Sequence, residues 1–306
     1  MNGVLNIYKE AGFTSHDVVA KLRGILKQKK IGHTGTLDPD AEGVLPVCLG
    51  NATKLCGLLS DKEKTYEAVL LLGQTTDTQD VSGTVLGTAP VTAGEEEIRE
   101  AVLGFLGDYD QVPPMYSALK VGGKKLYELA REGKEVERKA RRVRILALEI
   151  HGIRLPEVSF SVTCSSGTYI RTLCQDIGER LGCGGCMKSL LRTRVDRFRV
   201  EDSLRLSEIE ELAREGRIGE ALIPVDEMFP AYPKLCMKEA ADRLVYNGNP
   251  FSAGDAQELL QEETLCGTQV RVYDSSGNFV GIYWRQEDGL VLPPGEDVPA
   301  GKELKA

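Results

Sequence analysis

The chain has 306 residues, 42% of them apolar and 27% charged, enough for one large domain or a large and a small one, and its composition excludes a fibrous or disordered polymer. Its longest apolar runs, such as 68–72, fall far short of the roughly 18 residues that span a bilayer, and the N-terminus lacks a basic-then-apolar leader pattern, so it reads as soluble and cytoplasmic. The net charge of −8 argues in bulk against a nucleic-acid partner, but residues 1–199 hold 28 Lys/Arg against 25 Asp/Glu while 200–306 hold 10 against 21, so an acidic part hides a basic one.

In chain order, Ser15 with Val18, Val19, Leu22, Ile25 and Leu26 predicts a capped amphipathic helix, and the stretch 21–30 on its polar side carries five cations and no acid. A glycine-punctuated loop spans Gly32 to Gly43, followed by an apolar run to Leu49 and a strand from Tyr66 to Leu72. Gly83 to Leu86 is expected as a returning strand, and Glu95 to Leu106 as a helix with acids in its first turn. Pro113-Pro114 then opens a polar excursion over 115–140, two basic pieces around a short helix at Lys125 to Arg131. Val143–Ile150 and Val158–Cys164 alternate as half-buried strands do, and Ser165-Ser166-Gly167-Thr168 turns into a helix with Ile170, Leu173, Cys174, Ile177 and Leu181 on its buried face. Arg194–Val200 reads as a strand and Ser207–Glu215 as a helix. Past Pro224, Pro230 and Pro233, strands at Gln269–Tyr273 and Phe279–Trp284 flank a tight turn.

The basic stretches 21–30, 115–145 and 186–199 suit a phosphate backbone if they converge, although each alone reads as a solvated face. Eight scattered cysteines imply reduced thiols. Cys183-Gly-Gly-Cys186 lacks the second ligand pair of a structural zinc, so no metal is expected. The segment Ile31 to Gly43 concentrates His33 with Asp38, Asp40 and Glu42, yet it fits neither a phosphate-binding loop, a dinucleotide fingerprint, a zinc site nor a paired-carboxylate glycosidase. From these residues alone Leu37-Asp38-Pro39 is a turn.

The order of residues G-H-T-G-T-L-D-P-x-A-x-G-V-L-P-V-C-L-G-x-A-T-K from Gly32 to Lys54 resembles the catalytic motif of the TruB family of bacterial tRNA pseudouridine-55 synthases. The likeness continues through Lys64-Thr-Tyr66, Thr76 to Gly83, Val112-Pro-Pro-Met-Tyr-Ser-Ala-Leu-Lys120 to Gly133, Ser166-Gly-Thr-Tyr-Ile-Arg171 and Leu190-x-Arg-Thr193. It is firm to about residue 200 and looser beyond.

The resemblance implies an α+β pseudouridine-synthase catalytic fold over 1–225, with a mixed, largely antiparallel sheet and a thumb insertion at about 112–142, then a PUA-like β-barrel module over 226–306. It implies isomerisation of uridine-55 in the tRNA T-loop by N1–C1′ cleavage, base rotation and C5–C1′ bonding, with no cofactor and no metal. Asp38 is then the catalytic carboxylate, as nucleophile or as base toward the ribose. It must be ionised, and burial against a base would oppose this, so a cation is expected beside it: Arg171, with Asp80 as a second carboxylate holding that Arg. Tyr66 is the stacking ring, Tyr169 contacts the same nucleotide and serves proton transfer at C5, Leu190 packs against it, and His33 fills the space left by flipping. Lys64 and the thumb residues Lys120, Lys124 and Arg131 are implied to meet RNA. The partner is tRNA, through its T-arm and acceptor stem, bound to a monomer in the cytoplasm, with room for a tRNA-folding role.

Without the resemblance Tyr66 is an ordinary strand aromatic, Leu190 is core, and Arg171 is a helix-end ion pair or a phosphate contact. The chain departs from the family at Leu191, where a basic residue is common, and at Asp196-Arg197-Phe198, where Gly-Pro-Phe is common. A grip on the acceptor arm from the acidic C-terminal part needs a local patch such as Arg271, Lys302 or Lys305. Two other classes fit less well: a non-catalytic RNA binder, and a glycosylase, which would release free uracil.

Overall fold

A computed structural model describes residues 1–257, 268–285 and 290–292. The chain opens with β1 (Gly3–Lys9), α1 (Ser15–Leu26), β2 (Ile31–His33), β3 (Glu42–Leu49), α2 (Cys56–Ser60) and β4 (Lys64–Leu72). A small hairpin follows, β5 (Gln74–Thr76) with β6 (Val85–Thr88), then α3 (Glu95–Leu103) and β7 (Gly107–Gln111). The excursion holds β8 (Lys120–Val121), β9 (Lys124–Lys125) and α4 (Leu126–Arg131). The chain returns as β10 (Arg141–Arg154), β11 (Glu157–Cys164), α5 (Ile170–Arg180), β12 (Gly185–Val195), β13 (Phe198–Arg199) and α6 (Leu206–Arg214).

One sheet organises all of this, in the order β1-β3-β12-β4-β11-β10-β7, with β2 pairing β3 and β13 pairing β12. Only β12 against β3 is parallel, so the fold is α+β with a mixed, mainly antiparallel sheet. The alternation predicted for Val158–Cys164 is present in β11: Val158, Phe160 and Val162 meet Tyr66, Ala68, Leu70 and Leu72 of β4 in a core that α3 and α5 close with Ile98, Val102, Leu173 and Ile177. α1 and α6 cover β1 and β3 through Val18, Val19, Leu22 and Ile209.

Two local readings change. Thr14, not Ser15, caps α1: its hydroxyl accepts from the Asp17 N–H while Asp17 returns a bond to the Thr14 N–H, a capping box that leaves Ser15 free for another task. The strand read at Arg194–Val200 is the end of β12 and the start of β13, because Asp196 takes a positive φ of 51° and turns the chain into a hairpin. The returning strand expected at Gly83–Leu86 is present as β6, which pairs β5. The polar excursion adds little to the core, with Leu126 buried and its N–H donating to the Leu119 carbonyl.

After residue 225 come β14 (Lys234–Cys236), α7 (Asp242–Tyr246), β15 (Phe251–Ser252), β16 (Gln269–Tyr273), β17 (Phe279–Arg285) and β18 (Leu290–Leu292). They pair as β14-β16-β17-β18-β15, an open path in which no closed barrel is found among the described residues. This unit has its own core of Leu235, Val245, Phe251, Val270, Val272 and Tyr283, while Ile282 and Phe279 pack with Phe229 against Val4, Cys48 and Leu55. Lys302 and Lys305 lie outside the described residues. Among those described, no helix is long and apolar enough to cross a membrane.

Candidate active site

Asp38 sits in the loop between β2 and β3, and its neighbours are fastened on both sides. Leu37 donates its N–H to the Ser15 hydroxyl at 2.9 Å, and the Pro39 carbonyl accepts from the Gly12 N–H at 3.0 Å and from the Lys9 ammonium at 2.9 Å. Lys9 is wholly buried at the end of β1 and also donates to the Glu10 and Phe13 carbonyls. Burial lowers its pKa to about 8, against the pull of Asp38 and Asp40. Held so, the Asp38 carboxylate remains about one-third exposed, at 35%.

Arg171 comes from the first turn of α5 and is buried. Its Nε and Nη2 each donate at 2.9 Å to a different Asp38 oxygen, a bidentate fork. Its remaining donors go to carbonyls, Nη1 to Thr78 and Nη2 to Tyr116, both at 2.9 Å. One guanidinium therefore ties together the aspartate loop, the turn after β5 and the root of the excursion. Asp80 stands farther off, 3.9 Å from Arg171 Nε, and its Oδ1 accepts instead from the Thr78 and Ser82 hydroxyls and the Ser82 N–H. Two carbonyls bond Arg171 directly, and Asp80 stands beside it as a second carboxylate at ion-pair distance.

Tyr66 and Leu190 are buried on adjacent strands and share a core cluster with Leu37 and Ala41 of the aspartate loop. Tyr169 is the residue before α5, and Gln111, fully buried at the end of β7, holds it by both backbone groups: the Tyr169 N–H donates to Oε1 at 2.7 Å and the Tyr169 carbonyl accepts from Nε2 at 2.9 Å. Arg141 lies over the Tyr169 ring at 4.8 Å. His33 is half-buried in β2. Its Nδ1 accepts from the Gly35 N–H, and burial and then the Arg192 charge lower its pKa, so the ring is neutral at neutral pH.

The basic residues divide. Lys120, Lys124 and Arg131 are exposed on the excursion, with Lys124 paired to Glu132 at 3.0 Å and Arg131 over the Tyr127 ring. Lys64 is buried, and its ammonium donates to the Ser60 and Lys62 carbonyls, closing the end of α2 rather than facing solvent. Arg192, read within a basic surface stretch, is 1% exposed and cannot meet a phosphate. Its Nε donates to the Val44 carbonyl at 2.7 Å and its Nη2 to Gly35 at 3.3 Å. Lys9 and Gln111 escaped the sequence reading, and Arg192 entered it only as a member of a basic stretch and of the Leu190-x-Arg-Thr193 motif. A signal existed for Arg192, which shares strand parity with Leu190, and for Lys9, which ends an almost wholly buried strand.

Cys183 and Cys186 are buried free thiols, and among the described residues no group of three or more His, Cys, Asp or Glu could hold a metal.

Comparison with known proteins extends over this whole architecture. Residues 23–170 match the model of the TruB family pseudouridylate synthase N-terminal domain, and 171–229 that of the tRNA pseudouridylate synthase B C-terminal domain. The chain is 56% identical over 291 residues to tRNA pseudouridine synthase B of Lachnoclostridium phytofermentans, covering 92% of this chain and 95% of that one. It is 49% identical to the protein of that name from Alkaliphilus oremlandii, covering 92% of each. Among solved structures it resembles an H/ACA ribonucleoprotein bound to a substrate RNA containing 2′-deoxyuridine, at 26% identity and TM-score 0.67, covering 93% of this chain and 78% of that one. A Cbf5-Nop10-Gar1 complex matches at 29% and 0.66, with the same coverage.

These matches define the class as pseudouridylate synthase, an enzyme that isomerises uridine. Within that class the chain belongs to the TruB family.

Proposed function

We propose that this enzyme isomerises uridine-55 in the T-loop of tRNA to pseudouridine, with Asp38 as the catalytic carboxylate. The observation that carries the reading is the bidentate Arg171 fork on a partly exposed Asp38. Both carboxylate oxygens accept from a fixed cation, which suits a group that must act as an anion near RNA phosphates. The N1–C1′ bond breaks, the base turns, C5 bonds C1′, and the net change is a proton lost from C5 and one gained at N1. No redox partner is needed.

In this reading the target uridine leaves the loop stack and lies on Tyr66 with Leu190 beside it, His33 occupies the vacated space, and Tyr169 handles the C5 proton. Lys120, Lys124 and Arg131 of the thumb at 112–142 meet T-arm phosphates, and the sheet after residue 225 acts as a PUA-like module on the acceptor stem. The relatives' names support tRNA as substrate and cytoplasmic work by a monomer fits it, as does an added tRNA-folding role.

The test is tritium release from unmodified tRNA carrying 5-tritiated uridine, under single-turnover conditions, with wild type and Asp38→Asn side by side. Release of one equivalent per tRNA by wild type alone is expected. No release from either protein, with tRNA still bound, would overturn the reading in favour of an RNA binder, and free uracil would mark a glycosylase.

A further inference from the structure

Among the described residues, three that are not glycine take a left-handed backbone: Lys27, Gln79 and Asp196. Lys27 ends α1 and Asp196 turns a hairpin, and both are exposed. Gln79, with φ of 65°, is only 9% exposed and lies between the two residues that face Arg171. Before it is Thr78, whose carbonyl accepts from Arg171 Nη1 at 2.9 Å; after it is Asp80, whose carboxylate stands 3.9 Å from Arg171 Nε. A left-handed residue with a Cβ carries a strain that glycine would avoid, so a glutamine there points to a use for its side chain. That side chain crosses to α5. Its Oε1 accepts from the Thr172 hydroxyl at 2.7 Å, and Thr172, the residue after Arg171, is 2% exposed. The backbone of the turn is tied elsewhere: the Gln79 N–H donates to the Thr76 carbonyl at 3.2 Å and its carbonyl accepts from Met187 of β12 at 2.9 Å.

We infer that Gln79, through its bond to Thr172, is a positioning residue for the Asp38–Arg171 pair. Two successive residues of the turn, Thr78 and Gln79, are bonded to two successive residues of α5, Arg171 and Thr172. Thr78 lies past the end of β5, where no ladder holds its carbonyl. Met187 fixes the turn against β12, and the Thr172 bond fixes it against α5, so Arg171 meets a carbonyl already in place. This matters because a guanidinium is a rigid planar fork: the carbonyl at Nη1 and the carboxylate at Nε and Nη2 must suit one plane for all three donors to point at their acceptors. A carbonyl that drifts lets the guanidinium turn, and the fork on Asp38 bends with it. Gln79 and Thr172 are both buried, so their effect belongs to the chemical step and not to the grip on RNA.

This rests on the reading of Asp38 as the catalytic carboxylate, and the experiment separates the two. Single-turnover pseudouridine formation on a whole tRNA transcript, at saturating enzyme, is measured for wild type, Asp38→Asn, Gln79→Met, Thr172→Val, the Gln79→Met/Thr172→Val double variant and Thr172→Ser. Affinity for tRNA is read by filter retention and stability by urea denaturation. Met and Val keep the shapes and lose the bond, whereas Ser keeps the hydroxyl. Gln79→Met and Thr172→Val are each expected to lower the rate about tenfold, the scale of a small misalignment at the reacting groups, with affinity held within about twofold. The double variant should be no slower than the slower single one, and Thr172→Ser should stay within about twofold of wild type. Losses that multiply in the double variant, or a rate within about twofold of wild type for either single variant whatever its stability, would reduce the pair to packing and overturn the proposal. Should Gln79→Met fail to fold, Gln79→Asn takes its place under the same outcomes, since Asn accepts a left-handed backbone and is one methylene too short for Thr172. A wild type that binds tRNA without forming pseudouridine, or an active Asp38→Asn, would overturn the parent reading and this one with it. An inactive Asp38→Asn beside unslowed Gln79 and Thr172 variants overturns this one alone.

Discussion

Nη2 of Arg171 lies 2.9 Å from the Tyr116 carbonyl oxygen while donating over the same distance to Asp38, so one nitrogen joins the aspartate to the root of the excursion. Changing Arg171 therefore disturbs a carboxylate, a turn and a thumb root at once. Lys at 171 keeps the charge but offers one nitrogen where three bonded. Arg171→Lys is expected to lower the single-turnover rate by at least about 100-fold, with tRNA affinity reduced less than tenfold. A rate within threefold of wild type, measured by the same tritium assay, would mean the fork is dispensable.

Gln111 replaces, with one side chain, the strand partner that Tyr169 lacks at the mouth of α5. Gln111→Glu keeps an acceptor for the Tyr169 N–H but loses the donor for its carbonyl, and Gln111→Ala loses both. Each unpaired buried group costs about 1–3 kcal/mol, so Gln111→Ala should be the less stable of the two by urea denaturation. Both variants should lose activity out of proportion to tRNA binding.

Lys9 and Lys64 have pKa values lowered by burial to about 8, against 10.5 in a free side chain. Between pH 8 and 10.5 the unfolded chain holds protons on these groups that the folded chain has released, so their contribution to the unfolding free energy rises with pH across that window. Below pH 8 both states are protonated and the contribution is flat. Lys9→Met and Lys64→Met should each reduce the slope of stability against pH between 8 and 10, whatever they do to its absolute value. An unchanged slope in both would show that neither lysine titrates early.

Gly43 has φ of 105°, and a Cβ there would lie 2.2 Å from the Arg192 carbonyl oxygen. This is where β3 meets β12 in the sheet's one parallel pairing, Arg192 opposite Gly43. Gly43→Ala combines backbone strain with a clash against rigid backbone, so a loss above about 3 kcal/mol is expected by chemical denaturation. Gly12→Ala, also at positive φ but with nothing near its added carbon, isolates the strain and should cost less.

Regular elements were legible because their signals are local. The face Ile170, Leu173, Cys174 and Ile177 repeats at helical spacing, and α5 buries all four. Period-two alternation over Val158–Cys164 likewise placed Val158, Phe160 and Val162 on the inward face of β11. Resemblance to a known motif supplied Asp38 and Arg171, which are 133 residues apart and which no periodicity could have paired. Less legible was the cap of α1, where Thr14 and Ser15 both offer a hydroxyl; Asp17 three residues on selects Thr14, and Ser15 turns instead to Leu37.

By itself, then, the sequence determined the helices, most of the strands, the hidden basic half and the segment that bears Asp38, since each depends on neighbours within a few residues. Only the tertiary structure decided which charges are solvated and which are buried. Lys120 and Arg192 look alike as basic residues of a chain, yet one ends in water and the other is buried and bonded to the Val44 and Gly35 carbonyls. The burial of a charge depends on what the rest of the chain packs around it, and the cost of leaving water is settled there by carbonyls brought from β3 and the aspartate loop.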